Sequence, residues 1–111
     1  MDKLKTVIAA LEDIKIEDIV VFDMREVNPF FDFFILSTAT NKRQMNAAIR
    51  DVKNALSSLD QTGSKKEGND SGWALFDADD IIVNIFTKEA REYYNLEKMW
   101  LDIPKVNLEK L

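Results

Sequence analysis

Apolar residues recur at helical spacing in two stretches of the chain. In the first stretch they occupy positions i, i+3, i+4 and i+7, namely Leu4, Val7, Ile8 and Leu11. In the second stretch they are separated by steps of four and three, namely Met45, Ile49, Val52, Leu56 and Leu59. Both patterns predict a helix with one buried face. Asn41 followed by Gln44 predicts the start of the second helix, because amide side chains there can cover free backbone N–H groups.

Four apolar runs rich in β-branched and aromatic residues predict strands, at residues 18–24, 32–38, 73–77 and 81–86. The first run is apolar at consecutive positions, which predicts a strand largely buried on both faces. A turn is expected at residues 26–29, since the proline at position 29 cannot continue a ladder of hydrogen bonds. The short link between the last two runs predicts an antiparallel hairpin.

The end of the sequence predicts one more helix. Thr87 can cap it, and its apolar positions are Ala90, Tyr93, Leu96 and either Met99 or Trp100. Pro104 is expected to end it. The complete order is α-β-β-α-β-β-α, which predicts an α/β fold with a single mixed sheet and flanking helices.

All three glycines lie in one polar stretch, residues 61–72. About 60 residues before it and 40 after it are too few for two independent cores, so this stretch is interpreted as a surface loop. The sequence therefore predicts one domain over residues 1–104. Residues 105–111 are expected to form a flexible C-terminal tail.

The composition narrows the classes of function. The sequence contains neither cysteine nor histidine, which excludes disulfides, zinc–thiolate sites and cysteine nucleophiles. Without histidine, proton transfer near pH 7 would need a carboxylate, lysine or tyrosine with a strongly shifted pKa, so an acid–base enzyme is disfavoured. No apolar run approaches the roughly 18 residues of a membrane span, and no signal peptide is recognised. The expectation is a cytoplasmic protein without membrane attachment.

The net charge is −5 and is unevenly distributed. Residues 41–66 carry 6 basic and 2 acidic groups, whereas residues 67–111 carry 5 basic and 10 acidic groups. An acidic chain repels a phosphate backbone, so direct nucleic-acid readout is not expected. A basic partner protein is favoured instead, with a solvated surface that has no partner as the alternative.

Two carboxylates offer the most enzyme-like feature. Asp77 and Asp79 are two residues apart, so in a strand they would face the same side and could hold one divalent cation. A magnesium-dependent nucleotidyltransferase-like enzyme is therefore the alternative function. The segment that would hold the nucleotide phosphates, residues 37–40, contains no glycine and so lacks the residue that lets a phosphate approach closely. Turn residues that are acidic because they are solvated explain the same pattern.

Trp73 begins a predicted strand beside the polar loop. A large aromatic ring near carboxylates is typical of a protein-binding hot spot, whereas packing under a helix would make the same residue part of the core. The same two alternatives apply to Tyr93, Tyr94 and Trp100. For each helical pair, one member is expected in the core and the other near the surface.

Several segments, in this order, resemble the ribosomal silencing factor (Iojap-related) family. The similar segments are residues 18–23, 32–35 leading into 40–44, 72–77, 80–83 and 89–100. The last of these, Glu-Ala-Arg-Glu-Tyr-Tyr-Asn-Leu-Glu-Lys-Met-Trp, resembles the closing helix of that family almost position by position. The resemblance spans residues 4–104 and departs from the family's usual glycine at Ala39 and Asp79 and from its frequent histidine at Asn84.

The resemblance implies a nucleotidyltransferase-like fold without the activity, and no cofactor or metal. It implies binding to the large ribosomal subunit through its fourteenth protein, on the face that meets the small subunit. Occupying that face would block subunit joining and repress translation when nutrients are short. By matching position, the implied partner-binding residues are Trp73, Asp77, Asp80, Tyr94 and Glu97. A homodimer of the free protein, held by exposed apolar residues, is a third alternative.

Overall fold

The computed structural model describes residues 2–58, 64–65 and 72–111. Its helices are α1 (Asp2–Asp13), α2 (Lys42–Ser58) and α3 (Lys88–Tyr94). Its strands are β1 (Glu17–Asp23), β2 (Phe33–Ala39), β3 (Ser64–Lys65), β4 (Trp73–Ala78) and β5 (Ile81–Thr87). Short 3-10 helices follow at Leu96–Trp100 and Leu108–Lys110. The predicted order of elements is confirmed, with the two-residue β3 added. Leu59 and most of the predicted loop at residues 61–72 lie outside the described residues.

The five strands form one mixed sheet in the order β1-β2-β5-β4-β3. Strands β2 and β5 are parallel, and the other neighbouring pairs are antiparallel. The predicted hairpin is confirmed: Ala78 pairs with Ile81, and Asp79 and Asp80 form the link. The first residue of this link, Asp79, has φ 66°, as two-residue hairpin links generally require positive φ at a central position.

One face of the sheet is covered by α1 and α2. The α1 stripe of Leu4, Val7, Ile8 and Leu11 is buried, and so are Met45, Val52 and Leu56 of α2. Ile49 is partly buried against the same cluster. The helical periodicity therefore identified the buried faces of both helices, because side chains three and four residues apart share one side of a helix.

Alternate strand residues point to the opposite face. There they form a second apolar cluster, which includes Phe22, Phe34, Leu36 and Phe86. This second cluster is covered by α3 and the 3-10 helix at Leu96–Trp100. Trp100 lies edge-on to Phe34, with ring centroids 4.6 Å apart. The sheet is therefore a central layer with apolar residues on both sides.

Strand β1 is only partly as predicted. Val21 and Phe22 are buried, on opposite faces, but Glu17 and Asp18 are exposed. The prediction of burial along the whole strand is wrong for its start, because β1 lies at the edge of the sheet. Its pairing with β2 is also irregular between Glu17 and Val20, where Asp18 has φ 50°.

The single closing helix predicted up to Pro104 is wrong. Helix α3 ends at Tyr94, and Asn95 takes a left-handed conformation with φ 44° and ψ 54°, which asparagine tolerates better than most residues. The chain then continues as a 3-10 helix. Of the alternatives Met99 and Trp100, Trp100 packs against the sheet and Met99 is exposed. Tyr93, which helical spacing placed on the buried side, is also exposed. The predicted cap is confirmed, since Thr87 Oγ1 accepts a hydrogen bond of 3.1 Å from the Ala90 N–H.

Residues 105–111, for which a flexible tail is expected, lie against the first strand and helix. The Val106 N–H donates to the Val21 carbonyl at 2.8 Å, and Lys105 forms a β-bridge with Phe22. Leu108 and Leu111 pack against the core beneath α1. This segment therefore covers the free hydrogen-bonding edge of β1 near its end.

Candidate protein-docking face

Trp73 lies between two other aromatic rings. Its ring stacks on Phe86 with centroids 5.1 Å apart, and it is tilted against Tyr94 at 4.7 Å. Its indole N–H donates to Asn84 Oδ1 at 2.9 Å. Trp73 remains partly exposed, so it combines the two alternatives: it packs on the second cluster and still presents part of its ring to solvent.

Asn84 connects this tryptophan to the centre of the sheet. It is fully buried, and its amide nitrogen donates to the Ile35 carbonyl at 3.0 Å. The backbone carbonyl of Asn84 accepts a hydrogen bond from the Ser37 hydroxyl at 2.8 Å. A buried amide is stable when its donors and acceptors are paired. Asn84, which stands where the resembled family often has histidine, thus has a structural role as the acceptor for the indole.

Gly72 determines where Trp73 enters the sheet. It has φ 76°, and its carbonyl accepts a hydrogen bond of 2.8 Å from the Thr87 N–H. A Cβ at this position would lie 2.8 Å from Thr87 Oγ1, closer than non-bonded atoms normally approach. Glycine therefore lets the start of β4 lie directly against the start of α3, which brings Trp73 and Tyr94 together.

Tyr93 and Tyr94 extend the aromatic cluster to the surface. Tyr93 is 82% exposed and meets Tyr94 edge-on, with centroids 5.1 Å apart. We call Trp73, Tyr93 and Tyr94 the aromatic face. Sequence reasoning selected Trp73 and Tyr94, which are in contact, but missed Tyr93. One member of the tyrosine pair was expected in the core, and this is wrong, since Tyr94 is 41% exposed and Tyr93 82%. Helical spacing had placed Tyr93 on the buried side.

The two predicted aspartates lie in different surroundings. Asp77 is exposed and alternates with Leu75 and Trp73 along β4, so all three point to the same side of the sheet. Asp80 instead forms a salt bridge of 2.6 Å with Lys3 of α1. Because α1 covers the other side of the sheet, the structure groups Asp77 with Trp73 and turns Asp80 away from them.

The carboxylates proposed to hold a cation are not arranged as a strand would arrange them. Asp79 belongs to the left-handed link rather than to β4, and its N–H donates to Asp77 Oδ1 at 3.2 Å. Across residues 2–58, 64–65 and 72–111, no group of three or more acidic, histidine or cysteine side chains converges on one point. Asp77 and Asp79 therefore offer fewer oxygen ligands than a divalent cation usually takes.

A shallow cavity of about 380 Å³ lies at the carboxyl ends of the parallel strands, beside Ala39 and Thr87. Residues 37–40 were the candidate phosphate-binding segment. The cap of α2 already uses polar groups there: the Gln44 N–H donates to Asn41 Oδ1 at 2.8 Å, and Gln44 Oε1 accepts from the Thr40 N–H at 2.7 Å. The predicted capping role of Asn41 and Gln44 is thus confirmed.

Glu97 is engaged within the chain. Its carboxylate accepts a hydrogen bond of 3.0 Å from Arg91 Nε and is 36% exposed. Arg91 also donates from Nη1 to the Asp18 carbonyl at 2.9 Å and to Thr38 Oγ1 at 2.8 Å. Sequence reasoning proposed Glu97 for partner binding and did not single out Arg91, whose three acceptors come from distant parts of the chain.

Comparison with known proteins identifies the family of the chain. The family model for "Ribosomal silencing factor during starvation" matches residues 1–111. The ribosomal silencing factor RsfS of Bacillus subtilis is 36% identical over 107 residues, which cover 96% of this chain and 91% of that protein. The chloroplastic protein Iojap of Zea mays is 31% identical over 102 residues, covering 89% of this chain and 43% of that longer protein.

Two solved structures share the fold of this chain. A crystal structure from Bacillus halodurans superposes with a TM-score of 0.83 at 28% identity and covers 96% of this chain and 97% of that one. A crystal structure from Chromobacterium violaceum superposes with a TM-score of 0.82 at 30% identity, covering 89% and 83% of the two chains. None of the described helices is long and apolar enough to cross a bilayer.

Proposed function

This chain belongs to the ribosomal silencing factor family, and on that premise we propose that it binds the fourteenth protein of the large ribosomal subunit. Binding occurs on the face of the large subunit that meets the small subunit. A domain seated there excludes the small subunit sterically and so represses translation when nutrients are limiting. The protein acts in the cytoplasm by occupancy, without catalysis or a cofactor.

The observation that carries this proposal is the construction of the aromatic face. Trp73 is held by Phe86, Tyr94 and the Asn84 side chain, so it loses little further freedom when a partner covers it. Tyr93 contacts Tyr94 edge-on and is 82% exposed. Tryptophan and tyrosine are the residues most enriched at binding hot spots.

Charge supports a basic partner. Residues 67–111 carry twice as many acidic as basic groups, and the exposed Asp77 lies on the same side of β4 as Trp73. Proteins that contact ribosomal RNA are generally rich in lysine and arginine. Complementary charge accelerates encounter, while an aromatic contact slows dissociation.

The test is sedimentation of the purified protein with separated ribosomal subunits. We expect co-migration with large subunits, no co-migration with small subunits, and fewer joined ribosomes when small subunits are added to the complex. Inhibition should saturate at one protein per large subunit. Absence of binding to large subunits at modest salt would refute the proposal.

A Trp73→Ala variant tests the aromatic face within this assay. Truncating a hot-spot tryptophan should weaken binding by about 2 kcal/mol or more. Since Trp73 is partly buried, circular dichroism must show that the variant is folded. The matched control is Phe30→Ala, because Phe30 is an exposed aromatic residue in the connection between β1 and β2 and lies outside the aromatic face, and it should retain binding.

The alternative enzyme is tested with the same protein. A magnesium-dependent nucleotidyltransferase should melt at a higher temperature with magnesium and a nucleoside triphosphate, because a ligand that binds only the native state stabilises it. The spacing and turn geometry of Asp77 and Asp79 do not favour this function. We expect the melting temperature to stay unchanged.

A further inference from the structure

Arg91 joins three separate parts of the chain. Its side chain is 12% exposed and donates to Glu97 in the 3-10 helix, to Thr38 in β2 and to the Asp18 carbonyl in β1. An arginine fork with several acceptors holds its neighbours in one geometry more strictly than a surface ion pair does. Arg91 is therefore placed to fix the closing segment relative to the sheet.

The backbone around Arg91 is shaped for these contacts. In a continuous helix, residues six apart are separated by about 240° around the axis and cannot face each other. The left-handed Asn95 interrupts the helix between Arg91 and Glu97, and the turn is closed by a 3.0 Å hydrogen bond from the Asn95 N–H to the Arg91 carbonyl. The two side chains meet because the helix ends where it does.

The first strand makes a similar adjustment. Asp18 has a positive φ of 50° within the irregular start of β1, a conformation that aspartate adopts more readily than most residues other than glycine. Its carbonyl accepts a hydrogen bond from Arg91 Nη1. The irregular start of the edge strand thus supplies one of the three acceptors.

We propose that Arg91 is a positioning residue for ribosome binding and that Glu97 acts through Arg91 rather than by contacting the partner. This inference rests on the proposed function. Only Asn95 separates Tyr94 of the aromatic face from the 3-10 helix that contains Glu97, and the far end of that helix is held by Trp100 against Phe22 and Phe34. The Arg91–Glu97 ion pair holds the near end. Without it, the segment beside Tyr94 must be ordered during binding, and affinity falls.

A double-mutant cycle separates this role from a direct contact. The variants are Arg91→Met, Glu97→Gln and the double variant, and the measurement is the dissociation constant for purified large subunits. We expect about a tenfold loss for Arg91→Met and a smaller loss for Glu97→Gln, which keeps a hydrogen-bond acceptor. The double variant should bind as Arg91→Met does. If the losses of affinity in the two single variants multiply in the double variant, Glu97 contacts the partner and the inference is overturned. Unchanged binding of Arg91→Met would also overturn it.

The matched control is Arg50→Met. Arg50 Nε also pairs with a carboxylate at 3.0 Å, that of Asp51, but the pair lies on the exposed surface of α2. This variant should bind like the wild type, which separates a specific effect of Arg91 from the loss of any one positive charge.

Hydrogen exchange gives a readout that does not depend on the ribosome. In Arg91→Met, the Lys98 amide, which donates to the Asn95 carbonyl, should exchange faster, while amides of α1 exchange as in the wild type. If the wild type fails to bind large subunits, the proposed function is wrong, and the exchange data still decide whether Arg91 holds the segment. Unchanged exchange at Lys98 would refute the positioning role itself.

Discussion

Trp73 of β4 and Asn84 of β5 are diagonal neighbours in the sheet, with the indole nitrogen of Trp73 2.9 Å from the side-chain oxygen of Asn84. Asn84 is fully buried and donates in turn to the Ile35 carbonyl of β2. The partly exposed tryptophan is thus tied to the central strands of the sheet through one amide. Because all of these polar groups are hydrogen-bonded, the buried Asn84 fixes the orientation of the partly exposed Trp73 ring.

Replacing Asn84 by leucine should lower the free energy of unfolding by about 2 kcal/mol, because the indole N–H then faces an apolar side chain. Urea unfolding followed by tryptophan fluorescence measures this. The matched control is Asn54→Leu at an exposed position of α2, which should change stability by less than about 0.5 kcal/mol. Equal unfolding midpoints for the two variants would contradict the role assigned to Asn84.

Tyr93 allows binding to be tested without disturbing the fold. It is 82% exposed, so Tyr93→Ala should leave stability within about 0.5 kcal/mol of the wild type. Binding to large subunits should weaken at least about tenfold if Tyr93 belongs to the docking face. Phe30→Ala is the control, because Phe30 is equally exposed at 83% but lies in the connection between β1 and β2. A similar loss of binding in both variants would show that the aromatic face is not the specific site.

Removing residues 105–111 should destabilise the domain and expose an edge. The deletion removes the Val106 N–H bonded to Val21 and the packing of Leu108 and Leu111. We expect a loss of about 2–4 kcal/mol in the free energy of unfolding. We also expect concentration-dependent self-association, since an uncovered strand edge pairs with other strands. Thermal unfolding and sedimentation velocity check both. A deletion variant that melts like the full chain and stays equally dispersed would indicate that the segment is dispensable.

Asp23 and Arg25 predict a component of acid sensitivity. Hydrogen bonding to the Arg25 guanidinium lowers the pKa of the Asp23 carboxyl below its ordinary value. A carboxyl whose folded-state pKa is depressed contributes stability above its unfolded pKa, and that contribution is lost as the pH falls through the folded pKa. The melting temperature of Arg25→Gln should therefore lie below that of the wild type at pH 6, and the gap should narrow on acidification below about pH 4.

The contact of Arg25 with the Phe33 ring, at 5.2 Å, is lost at every pH in Arg25→Gln and so adds a constant offset. Only the pH-dependent part reports on Asp23. The Arg25 side chain is exposed and that of Asp23 is partly exposed, so the effect should be small and should shrink as salt is added. A gap that stays constant from pH 6 to pH 3 would show that the ion pair does not contribute.

Local patterns in the sequence were sufficient for most elements of the fold. The stripes of α1 and α2, the strand runs, the hairpin link and the caps at Asn41 and Thr87 all depend on residues within a few positions of each other. Helical and strand periodicity report which side of an element is apolar, so they also predicted both buried helix faces. The resemblance to the ribosomal silencing factors added the family, which the comparisons confirm.

The arrangement of the candidate site depends instead on contacts between distant residues. Asp80 is turned towards Lys3, 77 positions away, and Arg91 is bonded to the Asp18 carbonyl, 73 positions away. A short segment of sequence, such as the one that reveals a helix or a strand, contains only one partner of each pair. The left-handed Asn95 likewise ended a pattern that otherwise continued as a helix. Tyr93, which lies within α3, was placed on the buried side by its spacing from Ala90 and is exposed. Periodicity describes one element at a time, whereas exposure and side-chain pairing arise only when elements pack together.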